Sequence, residues 1–237
     1  MVSRIITIRF VQEFEGLPIG EGAWSADWLF YVLVLPLLLY ALVIYHERYP
    51  AIWLSKVVYS NRFASNAYRN RTYGRQLGHS LLLLISLISL STFCYFMEVK
   101  FELYFFGLER IALWFFNLGI LSASVLGRFI ILLLLGKITG TKDAFNEYGF
   151  NIAQFYKFLS VPLLLINFFI PYLESLPDIV LIIIALLFMS SVLIIRLLRL
   201  ASIFIKSRFS LFYYILYLCA LEFTPVMVFI KYLSGAV

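Results

Sequence analysis

Glu222 is the one acidic residue deep inside an apolar run, within Leu216-Tyr217-Leu218-Cys219-Ala220-Leu221-Glu222-Phe223-Thr224-Pro225. If that run is a helix crossing a bilayer, the carboxyl lies near mid-membrane, where a bare carboxylate is costly and must be protonated or matched by a donor. Pro225 removes the backbone donor that would close on the Leu221 carbonyl, so a kink beside Glu222 is expected. Two readings stay open: a carboxyl that locks helices together, and one that carries a proton or ion, as carboxylates beside broken helices do in transporters. Arg128 is the only basic residue well inside an apolar run and is the natural charge partner of Glu222. Measured from the centres of their runs, the two differ in depth by about 10 Å at 1.5 Å per residue. Pairing therefore needs helix tilt or an extended arginine rotamer, and snorkelling of Arg128 to the nearer interface is the alternative.

Other reactive residues are sparse. His46, Glu47, His79, Asp143 and Glu147 are the only material for an enzyme acting on a lipid at one face, and no third ligand joins the histidines at a metal-like spacing. No His-Glu-x-x-His, Gly-x-Ser-x-Gly, P-loop or dinucleotide fingerprint occurs, so neither a catalytic residue, a metal nor a cofactor is assigned. Asn117 and Asn167 lie in apolar runs, where an amide usually bonds a neighbouring helix. Cys94 and Cys219 read as small buried thiols.

The elements that position these residues follow from composition. Of 237 residues, 63% are apolar and 14% charged, against ~45–50% apolar in ordinary soluble domains. Runs at about 28–45, 80–97, 111–135, 158–173, 179–195 and 209–231 are each close to the ~20 residues that a ~30 Å hydrocarbon layer requires. They must be helices, because unpaired backbone amides cannot face lipid and the runs lack the in/out alternation of a barrel strand. The expected fold is all-α: a polytopic transmembrane helical bundle of about six spans, forming one domain over 28–237. Residues 1–27 form a tail whose Glu13, Glu15 and Glu21 do not suit a cleavable signal, so the first span is expected to be retained.

Lys and Arg gather in the connecting segments 46–79, 136–157 and 196–208, which places those segments in the cytoplasm and both termini outside. The net charge of +6 is therefore read as topology and headgroup contact, with no nucleic acid as partner. In segment 46–79, Ile52, Tyr59 and Phe63 fall near one helical face and Lys56 and Arg62 away from it. The pattern predicts an amphipathic helix at the interface, with Lys56, Arg62, Arg69, Arg71 and Arg75 against lipid headgroups; a solvated loop is the alternative. A second short interfacial helix is expected between Lys137 and Lys157, followed by a span that Ser160 and Pro162 open. The short link Glu174 to Asp178 makes the fourth and fifth spans antiparallel neighbours.

The run from Phe212 to Pro225 resembles the C-terminal signature Leu-Tyr-Leu-Cys-x-Leu-Glu-x-x-Pro of a polytopic membrane-protein family of Bacteroidota, a domain of unknown function. Weaker similarity extends over most of the chain from about residue 28. The resemblance implies a bacterial inner membrane and singles out Tyr217, Cys219, Glu222 and Pro225 as a motif, without an activity, substrate or cofactor. The leading expectation is a non-enzymatic inner-membrane subunit that binds membrane lipids, other membrane proteins or itself, as an accessory of an envelope export, motility or assembly machine. A small proton- or ion-coupled transporter using Glu222 is the alternative, and a lipid-modifying enzyme the weakest.

Overall fold

The computed structural model describes residues 27–46, 50–69, 76–101, 110–138, 140, 142–173 and 177–206. The tail 1–26 and the expected span 209–231 lie outside the described residues. Seven helices form among those described: α1 (Asp27–His46), α2 (Pro50–Tyr59), α3 (Asn61–Arg69), α4 (Gln76–Lys100), α5 (Arg110–Ile138), α6 (Lys142–Tyr172) and α7 (Asp178–Lys206). Five of them, α1, α4, α5, α6 and α7, are long and apolar enough to cross a membrane, and the chain is a helical membrane bundle.

The helix α4 is the spine. It packs on α1, α5 and α6, while α6 also carries α2, α3 and α7. Over half of its apolar window is buried, 56%, against 22% in α1 and α7 and 11% in α5. Its core face, Leu82, Ile85, Ile88, Phe93 and Phe96, meets Leu29 and Leu33 of α1, Leu113 and Trp114 of α5, Leu163 and Ile170 of α6 and Ile182 of α7 in two adjoining apolar clusters. The buried positions of α1, Leu29, Leu33, Pro36 and Val43, recur at helical spacing, whereas Tyr31, Leu35, Leu38 and Leu42 face outward. Large apolar side chains on the outside suit a lipid solvent and no aqueous one.

Between α5 and α6 the chain turns at Gly140, whose φ of +70° is the left-handed conformation that a residue without Cβ adopts at little cost. The sequence predicts a short helix and then a separate span over 137–173; the structure has a single helix, α6, from Lys142. Nothing breaks it, because Pro162 bends a helix without ending it once neighbouring helices hold both halves. At the opposite end of the bundle Lys100 Nζ lies 3.1 Å from Asp178, tying the end of α4 to the first turn of α7. Asp178 also faces the positive end of the α7 dipole.

The short pair α2 and α3 is amphipathic as expected, and its apolar face is embedded in the bundle. Pro50, Leu54, Val57 and Val58 are buried at the spacing of one helical face, leaving Ile52 and Tyr59 exposed. A solvated loop is thereby replaced by two helices. Ser60 separates them: its carbonyl accepts from the Ala64 amide at 3.0 Å and its hydroxyl from the Phe63 amide at 3.3 Å, the geometry of an N-cap. The break leaves the last carbonyls of α2 in need of donors, and Arg199 of α7 supplies them. Its Nη1 donates to the Val57 carbonyl at 2.8 Å and its Nη2 to the Val58 carbonyl at 2.6 Å. Nη1 also reaches Asn151 Oδ1 at 3.3 Å, and the guanidinium lies 5.2 Å from the centre of the Phe155 ring.

Replacing Arg199 by alanine strands two buried carbonyls and is expected to destabilise the bundle by roughly 3 kcal/mol. Lysine should recover only part of this, since one ammonium lacks the planar fork that spans both acceptors. Denaturant titration of the purified protein in detergent, following helical circular dichroism, checks both values.

Candidate functional site

The residues with chemical potential converge on the seam where α4, α5, α6 and α7 meet. Tyr156 of α6 is its hub. Arg128 of α5 donates from Nη1 to the Tyr156 hydroxyl at 3.1 Å, and the Arg196 guanidinium of α7 lies 5.6 Å from the centre of the same ring. The Tyr156 carbonyl accepts from Ser86 Oγ of α4 at 2.7 Å. One residue therefore joins three other helices. Lys157, Arg196 and Arg199 are all buried here, together with Asn151 and Gln154. Asn151 is oriented by donating to the Glu147 carbonyl at 2.9 Å, which turns its oxygen to Arg199.

From Ser86 onward a polar strip follows α4. Ser86, Ser89, Ser91 and Thr92 are each at most 3% exposed. Asn167 of α6 donates to the Ser89 carbonyl at 2.7 Å. Trp114 of α5 donates its indole N–H to Thr92 Oγ1 at 3.1 Å and accepts Ser91 Oγ on its carbonyl at 3.1 Å. The strip ends on a buried carboxyl: Glu98, 3% exposed, accepts from Asn117 Nδ2 of α5 at 2.5 Å. Such bonds hold helices in register where apolar packing alone distinguishes poorly between helix and lipid.

The sequence-predicted residues divide accordingly. Arg128 bonds the Tyr156 hydroxyl, whereas Glu222, Tyr217, Cys219 and Pro225 lie outside the described residues. Lys56, Arg62 and Arg69 are exposed at the end of the bundle where α2 and α3 sit; Arg71 and Arg75 lie outside the described residues. Asn117 and Asn167 bond between helices as expected. Among the described residues no three His, Cys, Asp or Glu side chains are grouped to hold a metal.

Three residues were missed. Glu98 falls just past the expected run 80–97, yet α4 continues to Lys100 and carries it into the core. Arg196 and Arg199 read as a connecting segment, but they belong to α7, where exposures of 7% and 5% place them in the core. A helical continuation of the fifth run past residue 195, with both arginines on the side of Val192, is the signal that would have found them.

The Glu98 and Asn117 pair makes an asymmetric prediction. Asn117→Leu leaves the carboxyl buried without its amide donor and should cost about 1–3 kcal/mol. Glu98→Gln keeps an acceptor of the same shape and should cost less than about 1 kcal/mol. Thermal unfolding of both variants in one detergent compares them.

No curated protein and no solved structure matches the chain. Residues 29–233, from the start of α1 to beyond the described helices, match the family described as Domain of unknown function (DUF4271), and the chain belongs to that family.

Proposed function

We propose that this protein is a non-enzymatic subunit of a bacterial inner membrane, whose outer helical faces bind partner membrane proteins or lipids. The observation that carries this reading is the contrast between its inside and its outside. Ser86, Ser91, Trp114, Asn117, Arg128 and the Asn167 amide nitrogen of the seam go into helix-to-helix bonds, while α5 leaves nearly nine-tenths of its span-forming window unburied and α7 more than three-quarters. On α5 the outward face bears Phe115, Ile120, Leu126 and Ile130. Between them, Gly119 and Gly127 meet nothing within 4 Å of a Cβ added at either position, so another helix or an acyl chain can approach the backbone closely there. An accessory role in an envelope export, motility or assembly machine fits a chain built this way.

The end bearing Lys56, Arg62 and Arg69 faces the cytoplasm in this reading, because exposed cations gather beside the membrane there and would meet anionic headgroups. A second reading, a small proton- or ion-coupled transporter, is favoured by one observation, the buried carboxyl of Glu98. It would add to Glu222 a second intramembrane carboxyl.

Affinity tagging at native expression level, mild detergent extraction and mass determination of what co-purifies test the proposal. A stoichiometric membrane partner is expected. Recovery of the protein alone, with proton flux in liposomes that Glu98→Gln or Glu222→Gln abolishes, would replace the subunit reading by the transporter.

A further inference from the structure

Midway along the seam, two buried polar atoms lack protein partners, Ser89 Oγ of α4 and Asn167 Oδ1 of α6, on residues that the Asn167 amide bond to the Ser89 carbonyl brings together. Ser89 is 1% exposed and Asn167 2%. The orientation of the Asn167 amide follows from its other bond, since Nδ2 donates to the Ser89 carbonyl at 2.7 Å and a flipped amide would set two oxygens against each other. Oδ1 is therefore an acceptor lacking a donor. Pro171, four residues further along α6, has no N–H, so the Asn167 main-chain carbonyl also lacks its helical donor. Ser89 lies roughly 17 Å from the Lys100 end of α4 and 20 Å from the Gln76 end at 1.5 Å per residue, far from either aqueous face.

The local balance is one of acceptors in excess. The Ser89 hydroxyl has one proton to offer against two Asn167 carbonyl oxygens without a donor, and neither lipid nor apolar side chains can donate. The group that satisfies all of them is small, neutral and a double hydrogen-bond donor that also accepts. We propose that the α4–α6 seam has a built-in site for one water molecule, bound between Ser89 and Asn167 at mid-membrane. The water donates to Asn167 Oδ1 and accepts from the Ser89 hydroxyl, and its second proton is directed to the Asn167 carbonyl. Two to four polar partners are what an internal water requires. The site lies one turn from Thr92 and Trp114, so the polar strip from Tyr156 to Glu98 is hydrated at its centre. This inference holds whichever partner the outer faces bind.

Water-edited solid-state NMR on the full chain in liposomes, with asparagine side chains labelled with nitrogen-15, tests it. The Asn167 signal is identified by its loss in Asn167→Ser or, should that variant not fold, by its contact with Ser89. Two asparagines calibrate the result: Asn66, exposed on α3, and Asn117, buried against Glu98. Polarisation from water is expected to reach Asn167 nearly as fast as Asn66 and several-fold faster than Asn117. Transfer to Asn167 as slow as to Asn117 would overturn the proposal. So would an Asn167 signal that moves when choline replaces sodium in the buffer, because the occupant would then be a cation.

Discussion

A carbonyl that loses its helical donor where packing shuts out water needs a donor from elsewhere in the protein. In this chain the interruption at Ser60 is deliberate in chemical terms: serine caps α3 and ends α2 in the same place. The donor is the Arg199 guanidinium, shared between the carbonyls of Val57 and Val58. Because Arg199 stands on α7 and also touches Asn151 and Phe155 of α6, one side chain sets where three elements meet. The broken α2–α3 segment is thus held against the bundle by its own imperfection.

The same logic runs through the rest of the seam. Apolar packing in lipid favours no single helix register, whereas a hydroxyl on a carbonyl or an indole on a threonine is satisfied at one register only. Ser86 on Tyr156, Asn167 on Ser89, Trp114 on Thr92 and Asn117 on Glu98 are such bonds, placed at intervals along α4. With its polarity directed inward, the bundle presents an apolar outer surface, and α5 and α7 supply most of it. That surface is the one the proposed subunit role uses.

Much of the architecture was legible because long apolar runs have few solutions in lipid. Helicity follows from it, and so does the pairing of α6 with α7, which a short link imposes. Periodicity around Ile52 and Tyr59 identified a helix but favoured the face that is exposed, since Leu54, Val57 and Val58 form an equally apolar face that packs in the core. Arg196, Arg199 and Glu98 were misplaced for a common reason. A charge at the end of an apolar run is ordinarily taken to mark the membrane boundary, and only tertiary partners such as Val57, Tyr156 and Asn117 show that the helix carries it inside. The contact of Arg128 with the Tyr156 hydroxyl is not legible in spacing, because Tyr156 falls in the segment expected as an interfacial helix before the fourth span.

The central claim is that Arg199 fixes the α2–α3 segment on the α6–α7 pair. Pulsed electron paramagnetic resonance addresses it directly, with spin labels at Arg62→Cys on α3 and Leu198→Cys on α7, both exposed positions, after Cys94 and Cys219 are replaced by serine. A single narrow distance distribution that broadens or shifts when Arg199→Ala is added is the predicted result. An unchanged narrow distribution in the alanine variant would show that apolar packing alone holds the segment, and would contradict the account.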